Sequence, residues 1–171
     1  MAVPTIPERI AKPTLNDYLE VMTRAVFQAG VSWAMIAGRW EAFAQAFEGF
    51  EVARVAAYAE GDIDRLLTDE RIFRSAKKVR ATIQNAQALL ELDLRHAGFA
   101  NYLRSFPDYP SFEKDFRKRF KFMGEMNVWY FRFRVGEDVP DFERWLTTIQ
   151  GDHPRMREMV ELARADGTFK G

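Results

Sequence analysis

The residues from Arg71 to Arg80 concentrate positive charge in a chain that is neutral overall. These ten positions hold five cations and no acid, whereas the whole sequence balances 25 lysines and arginines against 25 acids. We predict that a helix begins at about Ser75, where the first backbone N–H groups lack intrahelical partners and the macrodipole is positive. Lysines do not stabilise that end of a helix, but they suit a docked anion such as a phosphate. The predicted phosphate contacts are Arg74, Ser75, Lys77, Lys78 and Arg80.

A second group of cations lies further along the chain, between positions 114 and 121. Its members are Lys114, Arg117, Lys118, Arg119 and Lys121. One acid, Asp115, lies among them. On a helix these side chains would point in several directions around the axis, so only part of them could face one ligand. Two interpretations stay open: a solvated helix face, or a positive surface that continues the first group.

The residue types present argue against several other kinds of site. The sequence has no cysteine, which excludes disulfides, thiolate ligands and a thiol nucleophile. Its two histidines, His96 and His153, stand far apart and lack the spacing of zinc ligands. No phosphate-binding glycine loop or Ser-His-Asp arrangement is recognisable. We therefore expect neither a metal site nor a cofactor.

The composition is that of a chain that folds in water. Hydrophobic residues make up 47% and charged residues 29% of the 171 positions, which is enough for one well-buried domain. No run approaches the roughly 18 apolar residues that span a bilayer, and the first residues lack the features of a signal peptide. We expect one domain over residues 1–171, no membrane contact and a cytoplasmic location.

Helical periodicity recurs along the sequence, and no segment shows the sustained alternation of a strand. An irregular arm over residues 1–13 precedes the helices, and Gly38 is expected to interrupt one of them. We predict an all-α fold of about ten mostly short helices, in which C-terminal helices occupy residues 112–171. The predicted helices cover about residues 14–29, 33–37, 40–48, 52–59, 62–67, 75–90, 99–105, 112–120, 128–133, 141–149 and 154–165.

Residues 62–90 combine two of these helices and the basic turn into a candidate helix-hairpin-helix. A short helix, a tight loop over residues 69–74 and a longer helix would direct backbone N–H groups at a DNA phosphate. Hairpins of this kind usually carry glycines that let the backbone approach closely, whereas this one carries Arg71, Ala76 and Lys77. An ordinary pair of helices with solvated cations therefore stays open as an alternative.

The segment from Gln28 to Trp33 reads Gln-Ala-Gly-Val-Ser-Trp and resembles the QAGLSW signature of the DNA-3-methyladenine glycosylase I family. A second segment, Phe120 to Gly124, is similar to that family's GFKFVG. Between the signature and residue 90 the family's pattern continues without a gap. It includes Arg39, Glu41, Phe43, Phe47, Phe50, Val52, Asp62, Ile63, Arg74, Lys78 and Asn85.

The resemblance implies a helix-hairpin-helix glycosylase fold and hydrolysis of the N-glycosidic bond of 3-methyladenine in duplex DNA. Such an enzyme has to take the damaged base out of the stack and into a pocket. Two family features are missing here. Ala25 stands at the position of the base-reading glutamate, eight residues before Trp33, and the zinc-binding histidine and cysteines are absent after Gly136. We therefore expect a diverged member without zinc.

The same resemblance implies which residues form the base pocket. Trp33 would stack on the extruded base, and Gln28 and Ser32 would offer hydrogen bonds beside it. Trp129 stands where the family usually has a tyrosine, and with Tyr130 it would form the opposite wall. Core packing is the alternative for each aromatic residue, and helix capping is the alternative for Ser32.

A catalytic carboxylate has to come from a new position in this chain, because Ala25 cannot supply one. An anion near the sugar would stabilise an oxocarbenium-like transition state, as in glycoside hydrolysis. Glu125, beside Gly124 and the aromatic run, is the first candidate, and Glu20 on the first helix is the second. A solvated surface position is the alternative for both acids.

Together these features favour a diverged DNA glycosylase of the methyladenine type that acts on duplex DNA in base excision repair. Two alternatives from other classes stay open. One is a DNA-binding module that keeps the scaffold without catalysis, and the other is a helical protein-interaction domain whose cations are incidental.

Overall fold

The structure is a computed structural model that describes residues 9–151 and 153–169, and those ranges contain helices and no strands. The all-α prediction is therefore confirmed for the described part of the chain. Of the predicted arm, residues 1–8 lie outside the described residues, and residues 9–13 are irregular. The α-helices are α1 (Leu15–Gln28), α2 (Trp33–Ala46), α3 (Val52–Ala56), α4 (Glu60–Thr68), α5 (Ala76–Arg95), α6 (Phe99–Leu103), α7 (Tyr109–Arg119), α8 (Glu125–Arg134), α9 (Phe142–Leu146) and α10 (Pro154–Ala165).

The helix starts that matter for the site are set by local side chains. In a capping box at α1, Thr14 Oγ1 accepts from the N–H of Asp17 at 3.2 Å, and the Asp17 carboxylate accepts from the N–H of Thr14 at 2.8 Å. Ser75 Oγ accepts from the N–H of Lys78 at 3.3 Å, so α5 begins where we predicted. Asp108 caps α7, which therefore begins earlier than the predicted residue 112.

The expected interruption at Gly38 is wrong, because α2 runs unbroken from Trp33 to Ala46. A glycine in a helix costs about 1 kcal/mol relative to alanine. The inner face of the helix offsets this cost, since Ile36 and Phe43 are fully buried in the core.

Helices α1 and α5 form the centre of the fold and pack directly on each other, and α5 also packs on α3, α4 and α6. The buried side of α1 is apolar, with Leu19, Met22 and Val26 fully excluded from solvent. Helix α8 packs on α1 from another direction and extends an aromatic core, in which Phe131 stacks on Phe116 at a centroid distance of 5.0 Å. Within the described ranges, no helix is both long and apolar enough to cross a bilayer.

Arg9 ties the N-terminal arm to two later parts of the chain. Its guanidinium donates to the carbonyls of Phe133 (2.8 Å), Glu137 (3.1 Å) and Thr168 (2.7 Å). The same group lies over the rings of Phe133 and Phe169, at 4.9 and 5.4 Å from the centroids. Arg9 therefore joins the end of α8 to the segment that follows α10.

Candidate functional site

A cavity of about 1030 Å³ lies where the turn after α1, the start of α8 and the segment between α9 and α10 meet. A cavity of this volume can admit a small molecule. Three parts of the described chain therefore form one site, although they are distant in the sequence. The lining segments are Gln28–Trp33, Gly124–Asn127, Thr148–Gln150 and His153–Met156.

Trp33 lies in the cavity wall at the first turn of α2 and is half-buried. Its ring packs edge-on against Tyr130, with centroids 5.4 Å apart and planes at 70°. Tyr130 itself is only 1% exposed, so it supports the indole from behind and does not line the cavity. The arrangement holds Trp33 in place at the edge of an open space. Ser32 lines the same wall and makes no side-chain capping bond to α2.

Two carboxamides accompany the indole. Gln28 is 5% exposed, and its Nε2 has no hydrogen-bond partner among the described residues. Asn127 donates through Nδ2 to the carbonyls of Phe122 (2.7 Å) and Ala25 (3.4 Å), which joins α8 to α1. Sequence reasoning did not select Asn127. The available signal was a polar residue beside an aromatic run that is otherwise buried.

Lys78 does not face solvent as a phosphate contact should, and this part of the prediction is wrong. Its Nζ donates to the carbonyls of Ala29 (2.7 Å) and Phe27 (3.3 Å), where the C-terminal end of α1 leaves carbonyls without intrahelical donors. Burial lowers the pKa of the Lys78 ammonium group. Lys78 thus fixes the turn after α1, which carries one wall of the cavity, to the first turn of α5.

Other cations of the basic turn also have partners within the protein. Arg80 pairs with Glu60 at 3.1 Å, and Arg71 pairs with Asp69 at 2.8 Å. Arg74 is exposed, as is Lys77, whose Nζ lies 5.6 Å from the centroid of the Phe122 ring. Arg74 and Lys77 are the two exposed members of this group that the described structure leaves free of an acidic partner.

The end of the second basic group packs against the middle of α5. Asn85, which is 1% exposed, accepts from the N–H of Lys121 at 2.7 Å and donates to its carbonyl at 3.3 Å. These bonds hold the loop before α8 against α5 and bring Phe122 under Lys77. Because Arg119 pairs with Asp115 at 2.7 Å, only part of this group adds to the positive surface.

Trp129 does not form the opposite wall of the cavity, so the prediction of two bracketing tryptophans is wrong. It is fully buried and stacks on Phe133 and Trp145, at centroid distances of 5.1 and 5.4 Å. The reason is the register of α8. Trp129 and Phe133 are four residues apart and share the core side of the helix, whereas Met126 and Asn127 line the cavity.

Of the two acids proposed from the sequence, only Glu125 reaches the cavity. It is exposed at the rim, where Arg117 lies 4.0 Å from its carboxylate, and it also borders a second cavity of about 770 Å³. The Glu20 carboxylate accepts from Trp40 Nε1 at 3.3 Å and is not part of the lining. Glu113 borders the second cavity, where burial and then the nearby charge of Glu125 raise its pKa against the opposing effect of Arg117.

A comparison of this sequence with known protein families identifies the family of the chain. Residues 12–131 match the sequence profile of the methyladenine glycosylases. The chain belongs to this family. It is 34% identical over 82 residues to DNA-3-methyladenine glycosylase 1 of Escherichia coli (strain K12), which covers 48% of this chain and 44% of that protein. It is also 27% identical over 88 residues, or 52% of this chain and 48% of that protein, to DNA-3-methyladenine glycosylase of Haemophilus influenzae (strain ATCC 51907 / DSM 11121 / KW20 / Rd). The chain thus spans about half the length of these curated relatives.

Solved structures of family members share the helical fold. A variant of 3-methyladenine DNA glycosylase I in complex with 3-methyladenine superposes with a TM-score of 0.67 at 26% identity, over 76% of this chain and 81% of that chain. A further structure of 3-methyladenine DNA glycosylase I gives a TM-score of 0.64 at 27% identity, over 77% and 82%. The predicted glycosylase-like fold is therefore confirmed. The family profile ends at residue 131, so α9 and α10 lie beyond it.

Among the described residues, no group of three or more histidines, cysteines or acids lies where it could hold a metal ion. The residues present therefore do not fit a structural zinc. In this chain Arg9 makes the connection between the arm and the C-terminal segment through carbonyl contacts.

Proposed function

We propose that this family member is a DNA glycosylase that hydrolyses the N-glycosidic bond of an alkylated base in duplex DNA, as a step of base excision repair. The observation that carries the proposal is the position of Trp33 at the wall of an open cavity, just after a turn that Lys78 joins to the first turn of α5, where Lys77 is exposed. An extruded base needs both a face on which to stack and a slot to enter. Both requirements are met within one site.

The DNA strand would run over the start of α5. Arg74 and Lys77 are exposed around this point, Lys121 is exposed further along α5 beside Asn85, and Ser75 caps the helix. Contacts of this kind bind phosphates without reading sequence, and they place the duplex so that one nucleotide faces the cavity. Lys78 supports the surface from behind by holding the turn after α1, and Arg80 would have to leave Glu60 to contribute.

The reaction would be a displacement at the sugar. Water attacks C1′ and a new C–O bond forms as the bond to the base breaks. An alkylated adenine, already cationic, takes the electron pair and leaves as a neutral base, and the proton of the attacking water passes to solvent. The sugar acquires oxocarbenium character as the bond breaks, and a nearby anion stabilises it. Among the described lining residues Glu125 is the one carboxylate, so we assign it this role.

The test is release of 3-methyladenine from methylated duplex DNA, measured by chromatography of the free bases. We expect release by the wild type and a fall of about tenfold to a hundredfold in Trp33→Ala, because stacking on an aromatic side chain contributes about 1–3 kcal/mol per base. Trp40→Phe is the matched control, because Trp40 is half-buried elsewhere on α2 and stacks on Phe43.

The outcomes separate this proposal from its alternatives. No release above background would overturn the enzyme assignment, and steep salt dependence of duplex binding would then support the non-catalytic DNA-binding module. Binding that hardly changes with salt would support the protein-interaction domain. Release that is unaffected by Trp33→Ala would show that Trp33 does not contact the base.

A further inference from the structure

The second cavity, of about 770 Å³, combines an apolar wall with two carboxylates. The half-buried side chains of Phe106, Tyr109 and Val139 contribute to the wall, and a cavity of this volume can admit a small molecule. Glu113 and Glu125 also line it, and Glu125 borders the first cavity as well. The wall favours an apolar ligand, whereas the carboxylates favour a positively charged group.

The two carboxylates share one distant cation. The same guanidinium nitrogen of Arg117 lies 3.8 Å from Glu113 and 4.0 Å from Glu125, and neither distance is that of a hydrogen bond. Burial and the charge of Glu125 raise the pKa of Glu113, which is the direction expected where two acids are incompletely neutralised. Because both acids lie near one nitrogen, they flank one small region that a further cation would stabilise.

The other charged groups of this wall do not supply that cation. Arg132 donates to the carbonyls of Leu103 (2.9 Å) and Asp138 (2.6 Å). Asp108 caps the start of α7, and the side chain of Arg144 is exposed. Among the described lining residues, four acids stand against these two arginines, so the electrostatic field of the cavity favours a cation.

We propose that the second cavity binds a small organic cation, in which an ammonium group is attached to an apolar body. The ammonium group would donate charge-assisted hydrogen bonds to Glu113 and Glu125, which Arg117 does not do at its present distances. The apolar body would lie against the half-buried aromatic side chains, which also attract a cation through their ring faces. A neutral ligand would leave the carboxylates unpaired, and an anion would be repelled by them.

Such a ligand would also act on the first cavity, because Glu125 borders both cavities. Thr148 and Ile149 likewise line both, so the two spaces are adjacent. This consequence rests on the proposed function, in which Glu125 stabilises positive charge on the sugar. An ammonium group paired with Glu125 offsets the charge of that carboxylate, so excision should slow while the ligand is bound.

Binding is tested with three probes that share a phenyl ring and differ in charge. The full chain is titrated at neutral pH with phenethylamine, phenethyl alcohol and phenylacetate by isothermal titration calorimetry. We expect the amine to bind at least about tenfold more tightly than the alcohol, and the anion to bind most weakly. Glu113→Gln should weaken amine binding about tenfold and leave alcohol binding unchanged. Glu161→Gln, at an exposed acid of α10 outside the cavity, should change neither.

A further variant distinguishes the two cavities. Trp33 lines the first cavity and not the second, so Trp33→Ala should leave the affinity for phenethylamine unchanged. Circular dichroism melting of each variant shows whether it is folded. Equal affinity of the wild type for amine and alcohol, an unchanged amine affinity in Glu113→Gln, or loss of amine binding in folded Trp33→Ala would overturn the inference.

The effect on the first cavity is measured as release of 3-methyladenine from methylated duplex DNA in the presence of phenethylamine. Ammonium chloride at equal concentration is the control for ionic strength. We expect saturating amine to slow release, and Glu113→Gln to require about tenfold more amine for the same slowing. Binding of the amine without slowing would overturn the link through Glu125. Absence of release without any amine would overturn the proposed function alone, because the titration does not depend on catalysis.

Discussion

Each side of the cavity is built from parts of the chain that are joined by a cation, which donates hydrogen bonds to backbone carbonyls. On one side, Lys78 inserts between the carbonyls of Phe27 and Ala29 and fixes the signature turn to α5. On the other side, the first turns of α8 and α10 line the cavity, and Arg9 joins the far end of α8 to the segment that follows α10. The first side lies within the family profile, and the second lies largely beyond its end at residue 131. The side that carries Trp33 is thus anchored in the hairpin, whereas the facing side depends on the arm and the C-terminal helices.

The largest effect on stability is expected for Arg9→Ala, which removes the cation on the second side of the cavity. Arg9→Ala removes three hydrogen bonds from a charged donor and contacts with two aromatic rings, which together stabilise the fold by about 2–3 kcal/mol. For a chain of this size the melting temperature should fall by roughly 5–10 °C. Thermal unfolding followed by circular dichroism measures it.

Arg9→Lys is the matched control for that prediction. Lysine keeps the charge but lacks the planar fork that reaches three carbonyls at once, so its melting temperature should lie between those of the wild type and Arg9→Ala. If Arg9→Ala melts with the wild type, the second side is stabilised by other contacts, and the comparison of two cation-held sides no longer applies.

The next largest effect is expected for Lys78→Met, on the side of the cavity that carries Trp33. Lys78→Met keeps the apolar stem and removes the ammonium group, so the carbonyls of Phe27 and Ala29 lose their donor at a cost of about 1–2 kcal/mol. We expect release of 3-methyladenine to fall about tenfold, because the turn that carries Trp33 loosens. Duplex affinity should change little, because this ammonium group faces the protein.

Lys77→Met is the control, since it removes the neighbouring exposed cation. It should weaken duplex binding while leaving the melting temperature unchanged. If Lys78→Met loses as much duplex affinity as Lys77→Met, Lys78 contacts a phosphate, as the sequence predicted.

These assignments show where sequence reasoning succeeds and where it stops. The starts of α1 and α5 follow from Thr14 and Ser75, because capping is a local interaction of three or four residues. Trp33 was found because it belongs to a recognisable motif. Lys78 was misassigned because its partner Ala29 lies 49 positions away, and nothing near Lys78 indicates a carbonyl acceptor.

The start of α8 illustrates the same limit in another form. An aromatic run at helical spacing predicts a helix with a buried face, but not which residue of the run faces a cavity. That choice depends on the packing of α8 against α1 and α9, which placed Trp129 in the core and Asn127 at the cavity. Asn127 was passed over because a polar residue near a helix start is usually a surface residue.

A smaller effect is expected at the proposed DNA-contact surface at the start of α5, which is separate from both sides of the cavity. Lys77→Glu should lower duplex affinity about tenfold at low salt and reduce the salt slope by about one. The melting temperature should not fall, because the side chain is exposed and an acid suits a helix start. Binding is measured by fluorescence anisotropy over a salt series.

Arg95→Glu provides the matched control, since it makes the same charge change at the opposite end of α5, roughly 27 Å along the helix axis. It should leave duplex affinity nearly unchanged. If both variants weaken binding equally, the effect reflects net charge, and the start of α5 is not the contact surface.

The smallest predicted effect lies where the two cavities share Glu125. Burial and the charge of Glu125 raise the pKa of Glu113, so the folded state holds this proton more tightly than the unfolded state. At pH values below the pKa that Glu113 has in the unfolded chain, Glu113 is protonated in both the folded and the unfolded state and does not lower the stability of the fold. Stability then falls as pH rises through the folded pKa, and the full cost persists at neutral pH. Glu113→Gln should therefore raise the melting temperature at pH 7 by about 1–2 °C and leave it unchanged near pH 4.

Two further variants show whether Glu125 is the cause. Glu161→Gln, at an exposed acid of α10, should not reproduce the gain at pH 7. Glu125→Gln removes the second source of the raised pKa, so in that background Glu113→Gln should gain less than it does alone. Equal gains in both backgrounds would mean that burial acts on Glu113 without Glu125. In that case the carboxylate at the cavity rim is electrostatically independent of its neighbour.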